Sequence, residues 1–366
     1  MAHILGTVAV LALLLGVLVV FHELGHFIVA RLARMKVDEF AFGFGPVLAR
    51  LFRRGDTQFN IRAFPLGGFV RIAGMEPGDE TPGGFNAAPA WHRLVVVLAG
   101  PFMSLLLGYL IFSAVGMIWG LPTGRAMVAI VDRGTPAARA GLRPGDVIYG
   151  IDGKRSVKLN ELIDRIHASP GREVTLLVRR GGGTITIRAI PDLRENPALQ
   201  GATPDQRKQL MKERGFKEKV GLLGFRPKSE LRPVGVFQSI RQGTVVTYDI
   251  VVSILRTLFS RRIAKDVGGI VMIGYMTQEV VKEGTQAVLF ELAALSIMLG
   301  ILNLILFPVL DGGHILYLII EKIRGKKLEP ERWYAIQTVG LAVLVTLAVF
   351  LVYLDIHRIA TGNFPR

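Results

Sequence analysis

The chain has 366 residues, 51% of them hydrophobic, and its 44 Lys and Arg against 29 Asp and Glu give a net charge of +15. It contains no cysteine, which excludes disulfides and thiolate metal sites and leaves the redox compartment open. No zinc finger, RNA-recognition signature or aromatic-studded basic helix accompanies the basic excess. Nucleic-acid binding is therefore excluded, and Lys and Arg in short loops beside apolar spans are the better account.

Residues 4–30 read as a first membrane span, long enough for a hydrocarbon core of about 30 Å. "MAHILG" has no basic n-region and the apolar run outlasts a signal-peptide core, so a retained helix ending at Arg31, Arg34 and Lys36 is expected. Residues 37–92 are glycine-rich. Between Phe59 and Ile72 partial alternation with breakers predicts short strands or a hairpin, able to dip into the membrane where protein shields its backbone. A second span covers 93–121, with Gly100-Pro101 and Gly108 permitting a kink and close helix contact.

From 125 to 190 the character changes to short β-rich runs around a helical "NELIDRIHAS". "TPAARAGLRPGDVIYGIDGK" resembles a PDZ domain in the permuted bacterial arrangement. A charged connector occupies 191–234, with order expected around "KVGLLGFRP". Residues 235–277 hold an amphipathic helix suited to the membrane surface, followed by "VGGIVMIGYM", which is too short to span. A third span, 287–320, is interrupted by "NLILFPVLDGGHI", and 334–354 form a fourth. The domain plan is thus 1–124 and 278–366 as two parts of a membrane core, with 125–190, 191–234 and 235–277 between them.

Basic loops orient the spans. Arg31 to Arg93 carries nine Lys and Arg, and 322–332 carries five, so both are expected on the cytoplasmic side. The N-terminus and the PDZ-like domain then lie outside. Arg256, Arg261, Arg262 and Lys265 run against the rule, but they follow a domain-sized loop, where it loses force.

Inside the first span stands "HELGH". His22 and His26 are four apart, so on a helix both imidazoles leave one face and can share a metal, while Glu23 stands where a base for water activation is needed. Ionisable groups within a span mark function by default. Zinc requires a third protein ligand, and within apolar segments the candidates are Glu291, Asp311 and His314. Asp311 stands out, because "FPVLDGGH" breaks the third span between a proline and two glycines.

The pairing of HELGH with "NLILFPVLDGGH", together with "FGFGP", "PLGGFV", one PDZ-like insert and four spans in this order, resembles the site-2 protease family. More narrowly, it is similar to the bacterial enzymes of regulated intramembrane proteolysis that process anti-sigma factors. The resemblance implies a polytopic α-helical membrane protein with four transmembrane helices, a membrane-embedded β-hairpin region and one inserted PDZ-like α/β domain. It implies Zn2+ on His22, His26 and Asp311, Glu23 as catalytic base, Asn303 as a substrate-positioning residue, and Gly67, Gly68 and Phe69 on a strand beside bound substrate. The expected activity is hydrolysis of a peptide bond in or near the transmembrane segment of a single-span protein, such as an anti-sigma factor or a signal-peptide remnant. The setting is the bacterial cytoplasmic membrane with its lipid bilayer, the active site towards the cytoplasm. A peptide is the expected ligand of the PDZ-like domain if it recruits, although a steric filter is favoured.

Two departures from the family pattern stand out. Leu306 replaces the first of two prolines, so the third span is expected to break only at Pro308, and Gly268-Gly269-Ile270 replaces a Gly-Pro-x-Gly-Ile stretch. His314, one turn past Asp311, is expected to pack or support rather than to ligate. The competing readings are a catalytically idle adaptor, against which Glu23 argues, a CAAX-type membrane protease, and a transporter, for which no inverted repeat is evident.

Overall fold

A computed structural model describes residues 2–199, 207–208, 211–212, 216–260 and 268–361. Arg261, Arg262, Lys265 and residues 200–206, 209–210 and 213–215 of the 191–234 connector lie outside the described residues. The chain divides into two compact units, Trp119–Val234 and the two flanking stretches Met1–Ile118 and Gly235–Arg366.

Among the described residues of the flanking unit, four helices are long and apolar enough to cross a membrane: Gly6–Leu32, Ala90–Ile118, Thr285–Asn303 and Pro330–Ala360. Glycines set how closely the first three approach. A Cβ on Gly25 would lie 2.3 Å from the Ala99 carbonyl oxygen, one on Gly108 2.7 Å from that of Ala293, and one on Gly300 2.8 Å from that of Pro101. Small residues at helix contacts drive this kind of packing where lipid is as apolar as a side chain. Leu14, Leu18, Leu107 and Leu292 fill the space between the helices.

The helix Val236–Leu258 turns its apolar stripe onto this bundle, with Val246, Ile250, Ile254 and Leu258 packed against Phe112, Ala293, Ile297 and Ile301. Its opposite side exposes Phe237 and Tyr248. A further helix, Ile270–Glu283, begins at Gly269, and the Gly269 and Met272 N–H groups both donate to Asp355 Oδ2 at 2.9 Å.

Strands cover far more of 37–92 than expected, as β1 (Val37–Arg54) and β2 (Thr57–Ile72). The register divides them into four segments. Residues 47–54 pair with 57–62 across the turn at Gly55, 39–42 lie alongside 58–61 with both numbers rising, and 37–42 pair on their other side with 68–72. Gly43 and Gly45, at φ of 91° and 83°, let β1 change partner between its halves. Residues 68–72 are therefore an outer edge. At the end by Gly43 and Gly45, Phe44, Val47, Leu48 and Phe64 are exposed, and Leu51 and Phe52 are exposed along the 47–54 edge.

The interruption of the third span also differs from expectation. The helix stops at Asn303, not at Pro308, and a new helix starts at Asp311 and runs to Arg324. One proline suffices, because its ring meets the carbonyl four residues back and biases Phe307 out of the helical region. The break therefore falls about one turn before Pro308. Leu304 and Ile305 close the helix with bonds to Ile301 and Leu302 carbonyls at 3.1 Å.

The Trp119–Val234 unit contains a sheet that extends on both sides of 125–190. Strand Phe225–Arg232 pairs with Leu121–Val131, which pairs with Val147–Ile151, then Val174–Arg180, then Gly183–Ala189. Helix Leu159–His167 closes a core of Val128, Ile148, Ile151, Leu162, Leu176 and Val178.

Candidate metal centre

His22 and His26, one helical turn apart in the first helix, face Asp311, the first residue of the helix after the break. His22 Nε2 lies 3.0 Å from Asp311 Oδ2, His26 Nε2 3.4 Å from the same oxygen, and the two Nε2 atoms 3.3 Å apart. Among the described residues this is the group of ligand-type side chains that converges on one point. Glu291 and His314 are not in it. Glu291 accepts from Thr277 elsewhere in the bundle, and the His314 ring packs near Phe85 and Trp333.

The donor set fits zinc. Ligand atoms about 2.0–2.1 Å from a tetrahedral zinc lie about 3.3 Å from one another. His26 Nδ1 lies 2.8 Å from the Val96 carbonyl oxygen, which can only accept, so Nδ1 carries the proton and Nε2 presents a lone pair. His22 Nδ1 is held 3.0 Å from Ser104 Oγ, and Ser104 is itself fixed by the Ser296 hydroxyl, which donates to its carbonyl at 2.7 Å. Lone pairs of two imidazoles and a carboxylate this close repel unless a cation lies between them. Gly100 keeps the space open, since a Cβ there would lie 2.2 Å from His26 Nε2 and 2.8 Å from His22 Nε2.

Both ends of the Asp311 helix are anchored. Gly312 packs so tightly on the broken segment that a Cβ would come within 1.9 Å of the Ile305 carbonyl oxygen, and Gly313 has 2.3 Å to that of Pro308. At the other end Glu321 pairs with buried Arg93 of the second helix through two bonds of 2.8 Å.

Glu23 stays outside the ligand group and receives the backbone N–H of Val70 on Oε2 at 3.0 Å. The outer edge of the sheet thus faces the centre. Gly67 and Gly68 are on the same strand, and the Phe69 ring stacks on Phe44 with the Arg62 and Arg71 guanidiniums 5.0 and 5.6 Å from its centroid. Asn303 ends its helix half-buried. Sequence reasoning missed Val96, Gly100, Ser104 and Val70. The signal for two of them was present, because Gly100, Ser104 and Gly108 recur every four residues as a small-residue stripe.

An HExxH helix whose imidazoles meet a carboxylate from a second helix has the donor set of a zinc-dependent hydrolase. Residues 10–347 match peptidase family M50, and the chain belongs to that family, the site-2 proteases; it is a zinc metalloprotease. It is 32% identical to a Clostridium acetobutylicum protein bearing a provisional zinc-metalloprotease name, across 95% of this chain and 96% of that one. It is 28% identical to the regulator of sigma-W protease RasP of Bacillus subtilis, across 97% of this chain and 99% of that one. Among solved structures it is similar to the PDZ domain of an SdrC-like protein from Listeria monocytogenes (20% identical, 29% of this chain, 90% of that one, TM-score 0.20).

Proposed function

We propose that the protein cuts single-span membrane proteins in or near their transmembrane segment, as the second cut of regulated intramembrane proteolysis, with anti-sigma factors or signal-peptide remnants as substrates. The observation that carries this reading is the convergence of His22, His26 and Asp311 within apolar helices beside Glu23. In this reading the four spans lie in the bacterial cytoplasmic membrane with the centre towards the cytoplasm, and the exposed apolar tip of the 37–72 sheet dips into the bilayer.

His22, His26 and Asp311 would hold zinc, oriented by Ser104 and the Val96 carbonyl. Bound there, zinc supplies Lewis acidity that polarises a peptide carbonyl and acidifies water. Glu23 is the base. Its Oε2 is engaged by Val70, which leaves Oε1 to take the proton from water and pass it to the leaving amine. A helical substrate hides its carbonyls, so it must unwind before it is cut. The 68–72 edge offers the unwound segment a strand to pair with, and N–H groups two apart share a direction, so Gly68 N–H faces the same side as Val70 N–H. Phe69, braced by Phe44, keeps that edge extended, and the Asn303 amide is available to a substrate carbonyl. The PDZ-like domain acts outside the membrane as a filter against untrimmed substrates, and its excision should speed their cleavage.

The test compares wild type with Glu23→Gln in detergent on tagged single-span substrates already trimmed outside. Cleavage within the span by wild type alone supports the reading. Equal cleavage by both would reveal a contaminating protease. No cleavage by either, with zinc bound in both, would leave an idle adaptor or the wrong substrate.

A further inference from the structure

His314 is not among the converging ligands, yet it stands one turn past Asp311 on the helix Asp311–Arg324, with its Cβ about 5–6 Å from that of Asp311. Its ring packs near Phe85 and Trp333, at 6.4 and 5.6 Å between centroids. Among the described residues neither ring nitrogen has a hydrogen-bond partner, and neither is closed off from the surface. Polar atoms in so packed a setting normally have partners, and a neutral imidazole offers one donor and one acceptor. The ring borders a cavity of about 560 Å3. Phe69 and Val70 of the sheet edge line it too, as do Val309 of the broken segment and Trp333 and Gln337 of the last long helix. The cavity therefore reaches from the edge that holds Glu23 to the helix that carries Asp311.

We propose that this cavity receives the substrate chain on the cytoplasmic side of the bond to be cut, and that His314 donates its ring N–H to a backbone carbonyl of that stretch. The proposal rests on the reading of the chain as a protease of membrane-spanning proteins and adds a substrate contact to it. Continuity selects the occupant. Val70 both lines the cavity and donates to Glu23, so a chain paired along 68–72 at the base passes into the cavity. The strand end at Ile72 leads away from the exposed Phe44 and Phe64, which is the cytoplasmic direction in this reading. An added strand also accounts for His314. Backbone groups along a strand point to alternate sides, so the edge pairs only half of those on the substrate. The other half point away from the sheet and, once shielded from water, need partners of their own. His314 offers one where no further strand stands. At about 3.3 Å per residue, a ring one helical turn from Asp311 falls about one to three residues from the reacting bond. His314 thus holds the chain in place and takes no part in binding the metal.

Binding, not turnover, is the quantity to measure. The Glu23→Gln chain, loaded with zinc in detergent, would be titrated with fluorescent synthetic single-span peptides. In each, one backbone amide of the cytoplasmic half of the span or its flank is replaced by an ester, which keeps the shape of the chain and weakens the carbonyl as an acceptor. His314→Phe, which keeps a ring against Phe85 and Trp333, should weaken the all-amide peptide about three- to tenfold, the scale of one hydrogen bond, with zinc content unchanged. One ester position should erase that difference, because both changes remove the same bond. His314→Gln, which keeps an N–H donor, should retain part of the affinity. The chain has no cysteine, so Gln337→Cys can report the occupant, and disulfide capture should peak for a peptide Cys on the cytoplasmic side of the span. A His314→Phe effect that is absent, equal for every ester position or accompanied by zinc loss overturns the proposal. So does capture that peaks on the outer side. Failure of the protease reading appears separately, as cleavage of trimmed substrates unaffected by Glu23→Gln.

Discussion

The Val70 backbone N–H donates to Glu23 Oε2 across 3.0 Å, joining the sheet edge to the proposed base beside the candidate metal ligands. The bond fixes one carboxylate oxygen and thereby the aim of the other. Val70→Pro removes the donor while leaving His22, His26 and Asp311 untouched. Cleavage should fall roughly 10- to 100-fold, the scale of a mis-set general base, with zinc content by mass spectrometry unchanged. Phe69→Pro should also depress cleavage without releasing zinc, because the Phe69 N–H faces the other way, towards its partner Ala41, and its loss loosens the 68–72 edge. Unchanged cleavage in both would count against the edge as a working part of the site.

Gly100 and Ser104 lie against the candidate metal ligands rather than against Glu23, so in the proposed mechanism they bear on the metal. Gly100→Ala puts a methyl where the imidazole nitrogens converge, so the purified variant should contain little zinc and show no activity. Ser104→Ala removes only the partner of His22 Nδ1, and zinc affinity should weaken about 10- to 100-fold, measured by chelator competition. Equal zinc affinity in all three proteins would mean that this constellation is not where the metal binds.

The long apolar helices, the HELGH helix among them, were legible because their signals are local: long apolar runs, and a four-residue spacing that one helix turns into one face. Asp311 was legible because a proline and two glycines flag a break within an apolar run. The extent of the 37–72 sheet was not, since 39–42 pairs with partners about 20 and 30 residues away on its two sides, and no periodicity within the segment reveals a strand that changes partner at Gly43. The strand Phe225–Arg232 was hidden for a similar reason. Its charge reads as connector until its pairing with Leu121–Val131 is known. Val70 and the Val96 carbonyl act through backbone atoms, which carry no residue-type signal.

The Leu306 departure should be neutral. The helix already ends at Asn303 and Leu306 is exposed in the broken segment, so Leu306→Pro should change cleavage less than about twofold. Gly312→Ala should behave oppositely. Its methyl would strike the Ile305 carbonyl, and the helix would shift by more than a metal site tolerates. The pair separates two accounts of the motif, proline content against glycine packing, by activity and zinc content side by side.

In the Trp119–Val234 unit, Asp146 is buried and receives two bonds of 2.7 Å from Arg180 and the Arg143 N–H at 2.8 Å. Burial pushes its carboxyl up, but the Arg180 hydrogen bonds, the Arg143 N–H and the two guanidinium charges outweigh it and hold the group below the usual carboxylate range. A depressed value means that, as pH falls, the folded state binds its proton later than the unfolded one. The stabilisation is therefore fully present above about pH 4 and is lost as pH falls through the folded value. Amide protection of Ile148 and Val178, by hydrogen exchange on the full chain, should decline below about pH 4. Asp146→Asn should remove that acid-dependent part of the decline and lower protection at neutral pH by about 2 kcal/mol, less than for a fully buried pair because Arg180 is partly solvated. An acid decline of the same size in the variant would assign it to other carboxylates.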